Sequence, residues 1–403
     1  MTRALASGAA CALVTAATAL ACATAPRPRL PIPSIAGDTT QVTTIPFELF
    51  DGRINVRVTV NGASEWLVLD SGAGRTGLDR SWARQVGVRL PWAPDSNHAL
   101  VDTIHLESLS LRNYVVDLYS MRSVSEAAGR FQAGLLGEDF LQHFTVEIDY
   151  RERVVRLYDP ARYAYAGPGV LLPFMARNAS PVIRSPIALH GRDSAKARLL
   201  LDTGNGSLCL ILFTPFVDRR KLATVLNPTI EGPLITGLAG PLRVAVGSVP
   251  ALRLGSLAFA SVPTGLGREQ KSFLAITRYD GVLGGRLFRE GRVILDYARH
   301  RVIVEPGAPP GHDCTYDRSG LVLRAQGPDY REFKVAFVVP RSPAADSGIQ
   351  IGDQLLAVDG RATGELELPD IRRSLTADGV IRQFRIMRGA DTILVTLPLR
   401  RLF

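Results

Sequence analysis

The sequence predicts a mainly β protein in which two related β-rich units are followed by a smaller α+β domain. Long stretches alternate apolar and polar residues, which is typical of half-buried strands. Several short segments recur in the same order along the chain. A Pro/Gly-rich stretch precedes a C-terminal region that has a different sequence pattern. The chain has 403 residues, 46% of them hydrophobic. This length and composition indicate a globular protein of roughly two to four domains.

The internal repeat is marked by two apolar runs, each ending in an aspartate followed by a Ser/Thr-Gly turn. These runs are residues 67–73 and 199–205, and the hairpin before the first has a counterpart in 182–201. Further matches pair 104–111 with 252–257, 134–137 with 281–284, and 146–150 with 293–297. Recurrence of several features in one order predicts two homologous β-rich units.

Pro-rich segments and the repeat together define the domain boundaries. The predicted segments are an export signal at 1–21, a tether at 22–41, the first unit at 42–159, a connection at 160–180, the second unit at 181–306, a linker at 307–317 and the C-terminal domain at 318–399.

The N-terminus predicts export to the periplasm. Arg3 precedes a run of small and apolar residues that ends in Ala19-Leu20-Ala21, the pattern of a secretory signal peptide. A membrane anchor is the alternative, but Ser, Gly and Thr dilute the run below what a spanning helix needs. Cys22 follows directly and resembles a lipidated cysteine of bacterial lipoproteins. Lipid anchoring to the membrane through Cys22 and plain secretion are both left open.

Charge and cysteine content exclude some functions. The net charge of +9 comes from arginine, since the chain has four lysines, and no aromatic-interleaved basic stripe accompanies it. We therefore expect no nucleic-acid partner. Cys209 and Cys314 could pair in an oxidising compartment, but two cysteines do not make a disulfide framework. Two free, buried thiols are the default expectation.

The two aspartates suggest paired-carboxylate chemistry. A single Asp-Ser/Thr-Gly tripeptide is weak evidence, because these are ordinary turn residues. Here Asp70 and Asp202 each follow an apolar run, so a buried strand can hold each carboxylate rigidly. Two carboxylates about 3 Å apart repel by roughly 5 kcal/mol at an effective dielectric near 20, which keeps one proton shared between them. Such a pair performs general acid and base catalysis.

These motifs carry a family resemblance. Residues 70–73 and 202–205, with the downstream segments 134–141 and 281–288, resemble aspartic peptidases of the pepsin and retropepsin type, as tandem bacterial lobes. The resemblance implies two pseudo-symmetric acid-protease-like β-barrel lobes in one chain. It also implies an endopeptidase that acts on peptide or protein substrates without a cofactor.

The resemblance assigns roles to the residues of the two turns. Asp70 and Asp202 are the catalytic pair holding a water. The supporting residues are Ser71 and Thr203, which brace the site by hydroxyl hydrogen bonds, and Gly72 and Gly204, whose N–H groups donate to the carboxylates.

Two departures from the family pattern leave an alternative function open. Asn205 replaces the small residue usual after Asp-Thr-Gly, and the first unit has no convincing flap tyrosine. Tyr114 is expected to be packed rather than catalytic. The alternative is a catalytically weak peptide-binding or scaffold protein with the same domains.

Residues 318–399 resemble a PDZ domain of the bacterial periplasmic kind. Ser342-Pro343 predicts a helix start, and Asp359-Gly360 a tight turn. Gly320, Leu321 and Val322 are then the loop and strand edge that capture an extended peptide, with backbone N–H groups meeting a terminal carboxylate. The resemblance implies capture of substrates or partners, including exposed C-termini. A purely structural appendage is the alternative.

Other groups of candidate residues do not predict a further functional site. Ser207 lies in a Gly-Asn-Gly-Ser loop, but no His and Asp stand in a serine-peptidase context around it. The six histidines lack metal-ligand spacing, so no metal site is expected. Glu138 and Asp139 are expected to be locally structural.

Overall fold

The computed structural model describes residues 34–36, 42–90, 97–175, 180–189, 194–226, 230–307 and 314–403. The predicted signal peptide, Cys22 and most of the predicted tether lie outside these residues. The described part is mainly β, with two barrel-like lobes followed by a smaller domain, which confirms the predicted fold class. Within it, no helix is both long and apolar enough to cross a membrane.

Lobe 1 contains a β-barrel and three short helices. Its strands are β1 Ser34–Ala36, β2 Thr43–Phe50, β3 Arg53–Val60, β4 Ala63–Leu69, β5 Gly77–Asp79, β6 His98–Leu106, β7 Leu109–Tyr119, β8 Gly134–Leu136, β9 Thr145–Asp149 and β10 Val154–Tyr158. Its helices are α1 Arg80–Gln85, α2 Arg122–Ala128 and α3 Glu138–Leu141. Asn61 and Gly62, both with positive φ, form the predicted turn between β3 and β4.

Lobe 2 repeats this plan with longer central strands. Its strands are β11 Val170–Pro173, β12 Val182–Ala188, β13 Ser194–Asp202, β14 Leu210–Leu212, β15 Ile230–Gly237, β16 Gly240–Leu254, β17 Leu257–Gly267, β18 Gly281–Gly284, β19 Arg292–Asp296 and β20 Arg301–Glu305. Its helices are α4 Thr214–Arg219 and α5 Leu222–Leu226. β11 lies within the predicted connection and pairs with β20.

Strand pairing shows that the two lobes are related copies. β4 pairs in parallel with β8, and β13 pairs in parallel with β18, so each Gly-Leu-Leu-Gly-like segment lies beside the strand before an aspartate. The pairing of β3 with β6 likewise corresponds to that of β12 with β16. The repeat read from the sequence is therefore a structural repeat.

One matched pair of segments is a pair of turns rather than a pair of strands. Residues 104–111 cross from β6 to β7, and 252–257 cross from β16 to β17. Glu107 and Gly255 adopt positive φ at these points, which reverses the chain. Periodicity alone does not reveal this, because the alternation continues through the turn.

The lobes are joined by a six-strand section of a 13-stranded sheet, in the order β2-β10-β9-β19-β20-β11. At its centre β9 and β19 run antiparallel, with Ile148 opposite Val293 and Val146 opposite Leu295. These four side chains are buried in a hydrophobic core that is continuous across both lobes. Burial of such apolar surface is the main force that holds the lobes together.

The C-terminal domain has its own core. It comprises β21 Leu321–Gln326, β22 Glu332–Val338, β23 Gln354–Val358, β24 Arg361–Ala362, β25 Ile381–Arg388, β26 Asp391–Pro398, α6 Pro343–Asp346 and α7 Leu368–Ser374. Ser342 caps α6 by accepting the N–H of Ala345, as the Ser-Pro start predicts. The predicted turn at Asp359-Gly360 connects β23 and β24.

This domain packs against both lobes. Arg372 on α7 forms an ion pair with Asp51 between β2 and β3 at 2.7 Å. Arg324 on β21 donates to the Thr236 hydroxyl on β15 of lobe 2. β21 therefore lies next to the region where the two lobes meet.

Candidate active site

Strand ends place the two aspartates. Leu67 and Leu69 are buried on β4, and Asp70 follows directly. Leu199 and Leu201 are buried on β13, which ends at Asp202. Each strand is held between neighbours in a sheet, so the turn that follows it has little freedom to move.

Reciprocal hydrogen bonds lock the two turns together. The Ser71 N–H donates to Thr203 Oγ1 at 3.0 Å, and the Thr203 N–H donates to Ser71 Oγ at 3.2 Å. The Ser71 hydroxyl donates to the Leu201 carbonyl at 2.8 Å, and the Thr203 hydroxyl donates to the Leu69 carbonyl at 2.6 Å. All four bonds cross from one lobe to the other and are buried, so they fix the spacing of the two aspartates.

The glycines of the turns let the opposite carboxylate approach. A Cβ added to Gly72 would lie 2.5 Å from Cγ of Asp202, and one added to Gly204 would collide with Asp70. No larger residue fits at either position without moving an aspartate. Each turn is therefore shaped around the carboxyl group of the other lobe.

Backbone donors differ between the two aspartates. Oδ1 of Asp70 accepts the N–H groups of Gly72 at 2.9 Å and Ala73 at 3.1 Å. Oδ1 of Asp202 accepts the Asn205 N–H at 3.0 Å. The N–H of Gly72 thus makes the contact implied for it. On the Asp202 side the N–H that donates is that of Asn205 rather than that of Gly204.

Asn205 also stiffens its own turn. Its side-chain oxygen accepts the N–H of Ser207 at 3.1 Å and the Ser207 hydroxyl at 2.8 Å. Its amide nitrogen donates to the Leu208 carbonyl at 3.2 Å. The departure from the family pattern adds local hydrogen bonds and leaves the Asp202 contact in place.

The two carboxyl groups lie next to each other, each packed against the turn glycine of the other lobe. Burial and the negative charge of Asp70 hold the pKa of Asp202 well above its ordinary value of 3.8. Burial also raises the pKa of Asp70, although hydrogen bonds from Gly72, Asp202 and Ala73 oppose the rise. Carboxyl groups this close influence each other's ionisation, so they titrate as a pair. Both residues keep part of their surface exposed.

Arg53 is a site residue that the sequence analysis did not identify. Its Nε donates to the Gly204 carbonyl at 2.9 Å, and its guanidinium pairs with Asp51 at 2.6 Å. Arg53 is 7% exposed and connects the β2–β3 turn of lobe 1 to the catalytic turn of lobe 2. The only local signal in the sequence at this position is the preceding Asp51-Gly52, a turn-forming pair between two strands that alternate polar and apolar residues.

Other predicted residues have structural contacts. Oδ1 of Asp139 accepts both the N–H and the hydroxyl of Thr76, at 2.7 and 2.8 Å. Glu138 accepts the Ser180 hydroxyl at 2.8 Å. Tyr114 is 3% exposed and belongs to the hydrophobic core, so it is packed. Across the described residues, no three His, Cys, Asp or Glu side chains form a metal-binding cluster.

The loop predicted to capture a peptide terminus is occupied by the side chain of Asp317, the last residue of the predicted linker. Oδ1 of Asp317 accepts the N–H groups of Ser319 at 3.0 Å and Gly320 at 2.6 Å. Leu321, at the start of the edge strand β21, donates its N–H to the Ser319 hydroxyl at 3.0 Å. A terminal carboxylate would have to displace Asp317 to reach these donors.

The expectation of two free thiols is wrong. Cys209 and Cys314 form a disulfide, with their Cα atoms 5.8 Å apart. Cys314 therefore lies beside the residue that precedes β14 in lobe 2. Because 105 residues separate the two cysteines, sequence spacing alone could not show this contact.

Comparisons with known proteins bear on the two parts separately. Residues 334–381 match the family model described as the PDZ domain, which confirms the predicted nature of the C-terminal domain. Among solved structures, the chain is similar to the aspartic proteinase from Irpex lacteus at 12% sequence identity and a TM-score of 0.41. That match covers 66% of this chain and 98% of the other chain. No curated protein sequence matches the chain.

The cross-lobe hydrogen bonds allow a stability test. Thr203→Val removes a hydroxyl and leaves the Leu69 carbonyl and the Ser71 N–H without their buried partners. We expect the free energy of unfolding to fall by about 2–6 kcal/mol, since two buried groups lose their partners and each unsatisfied group costs roughly 1–3 kcal/mol. Urea denaturation measures this change. Thr203→Ser keeps the hydroxyl and is the matched control; equal stability of the two variants would contradict the assigned bonds.

Proposed function

We propose that the protein is an aspartic-type endopeptidase that hydrolyses peptide bonds with a water activated between Asp70 and Asp202. The observation that carries this proposal is the close approach of two deeply set carboxyl groups, one from each lobe, in turns that are hydrogen-bonded to each other. Such a pair is energetically costly because burial disfavours its charged form, and groups perturbed in this way cluster at functional sites. Its partial exposure leaves the pair accessible to water and to a peptide.

The directions of the pKa shifts suggest the proton arrangement. Asp202, with the more strongly raised pKa, holds the shared proton, and Asp70, with two backbone donors, is ionised. Asp70 removes a proton from the water as it attacks the scissile carbonyl carbon, while the Asp202 proton bonds the carbonyl oxygen. The proton on Asp70 then passes to the leaving nitrogen as the C–N bond breaks. The reaction is general acid and base catalysis without a covalent intermediate.

The pH dependence of cleavage tests this mechanism. Below the lower pKa of the pair no base is present, and above the upper pKa no acid is present. Because burial raises both pKa values, we expect a bell-shaped profile of kcat/KM whose falling limb lies well above pH 3.8. Initial rates on an unfolded protein from about pH 3 to about pH 8 measure it.

The matching control is a thermal melt in each buffer, which separates loss of the fold from titration of the pair. Activity that increases steadily above neutral pH would contradict the proposal, since that is the behaviour of a serine nucleophile. A folded protein that binds unfolded peptides without cleaving them at any pH would favour the peptide-binding alternative.

The same proposal includes export and peptide capture. A disulfide supports an oxidising compartment such as the periplasm, because cytosolic thiols are normally kept reduced. Lipid anchoring through Cys22 and capture of substrates or partners by the C-terminal domain stay predictions. Mass spectrometry of the mature N-terminus distinguishes a lipidated Cys22 from a plain cleaved end.

A further inference from the structure

A cavity of about 500 Å³ lies where the two lobes meet the C-terminal domain. It is lined by seven arginines and two aspartates, with no other charged residue. Both aspartates already have partners, because Asp51 pairs with Arg53 and Arg372 while Asp317 accepts the loop N–H groups. The cavity is therefore strongly positive.

Arg324 lines the cavity from the C-terminal domain. It lies half-buried on β21, and its hydrogen-bonding partner is the neutral Thr236 hydroxyl. No carboxylate among the described residues forms an ion pair with it. Burial and the positive charge of Arg372 lower its pKa to about 10. A partly buried guanidinium without an anion is unfavourable, and an anion from outside the chain would relieve it.

The cavity adjoins the candidate catalytic turn. Gly206 and Ser207, which follow Asp202 by a few residues, line one side. Arg53 lines it as well and donates to the Gly204 carbonyl of that turn. A polypeptide that leaves the aspartate pair along this side would enter the cavity.

Arg372 lines the cavity on the side of α7. It donates to the Leu323 carbonyl of β21 at 2.9 Å and pairs with Asp51. The Arg372 side chain therefore crosses the groove between β21 and α7, where a peptide strand would otherwise add to the edge of the sheet. An occupant of the cavity therefore meets arginine side chains as well as strand edge.

We infer that this cavity binds an acidic segment of the polypeptide that is being cleaved, with Asp or Glu side chains of that segment meeting Arg324 and its neighbours. The inference rests on the proposed endopeptidase function and specifies its substrate class: polypeptides with carboxylates flanking the scissile bond. Charge complementarity selects this occupant, since charge-assisted bonds to guanidinium are about twice as strong as neutral ones.

Matched peptide substrates test the inference. Cleavage sites are first mapped in an unfolded protein by mass spectrometry, and one site is rebuilt as quenched fluorescent peptides that carry a run of Glu, Gln or Lys on either side. All have an amidated C-terminus. We expect kcat/KM for the Glu peptide to exceed that for the Gln peptide by about tenfold, with the Lys peptide slowest. Equal rates for all three would overturn the inference and leave the endopeptidase proposal intact.

Variants test whether the preference for Glu over Gln arises in the cavity. Arg324→Gln is expected to bring the Glu-to-Gln ratio close to one, whereas Arg324→Lys retains part of it. Arg385→Gln, at an exposed position on β25 outside the cavity, is the matched control and should keep the full ratio. Loss of the ratio in both Arg324→Gln and Arg385→Gln would overturn the assignment to the cavity. If Arg324→Gln does not fold, the unaltered protein still tests the charge interaction, because raising NaCl from about 0.05 M to about 0.5 M should reduce the ratio.

Two further measurements separate the possible failures. If no peptide is cleaved, the endopeptidase proposal fails, and fluorescence anisotropy of a labelled Glu peptide with the protein then tests the cavity by itself. Tighter binding of Glu than of Gln supports the inference, and equal binding overturns it. The same Glu and Gln peptides are also prepared with a free C-terminal carboxylate. A preference for Glu that appears only in these peptides, and is lost on amidation, would overturn side-chain recognition in favour of terminal capture.

Discussion

Replacing Asp70 or Asp202 with asparagine is expected to reduce kcat/KM on an unfolded protein by at least about a thousandfold. General acid and base groups each contribute roughly 10²–10⁴ in rate, and the pair works as one unit, so loss of either member removes both functions. Asn keeps the shape and some hydrogen bonds, but it cannot exchange a proton. Initial rates at the optimum pH measure the loss.

The same variants should fold normally. Burial raises the pKa of both carboxyl groups, which means that the site disfavours their charge. A neutral amide removes this unfavourable charge, so the melting temperature is expected to be unchanged or higher. Asp391→Asn, at an exposed position on β26, is the control and should retain full activity. Activity that survives substitution of Asp70 or Asp202 would contradict the proposed mechanism.

Removing the Cys209–Cys314 disulfide is expected to lower the free energy of unfolding by about 4 kcal/mol. The bond spans 105 residues, and closing a loop of this length restricts the unfolded chain by roughly 4–5 kcal/mol in the chain-entropy description, within the 2–5 kcal/mol usual for native disulfides. The double variant Cys209→Ala, Cys314→Ala tests this by urea denaturation under oxidising conditions.

Reduction gives the matching control. Dithiothreitol should lower the stability of the unaltered protein towards that of the double variant and should leave the double variant unchanged. If the double variant unfolds at the same urea concentration as the oxidised protein, the bond does not restrict the unfolded chain as expected. The contribution of the 2% exposed Cys209 to packing is measured by the single Cys209→Ala variant under reducing conditions.

The disulfide also anchors the entrance to the C-terminal domain. Cys314 precedes Thr315, Tyr316 and Asp317, which line the basic cavity. Its bond to Cys209 holds this segment against lobe 2, close to the turn that contains Asp202. Both the cavity and the occupied loop therefore depend on a contact between distant parts of the chain.

Local patterns in the sequence predicted the mainly β fold, the repeated lobes and the PDZ domain. An apolar run before Asp70 and another before Asp202 must be buried strands, and the matching Gly-Leu-Leu-Gly-like segments proved to be their parallel neighbours. The hydroxyl bonds of Ser71 and Thr203 across the lobes have the form that the resemblance implied. Periodicity and repeats reveal such features because they are written into neighbouring residues.

Contacts between distant residues were decided by the tertiary structure alone. They include the pairing of Cys209 with Cys314, the reach of Arg53 to the Gly204 carbonyl, and the meeting of Arg324 with Thr236. The physical reason is that each depends on how completed sheets pack, and no local alternation or turn signal encodes that packing. By itself the sequence determined that two aspartates end two buried strands of one repeat. Packing of the two lobes alone decided that their carboxyl groups meet.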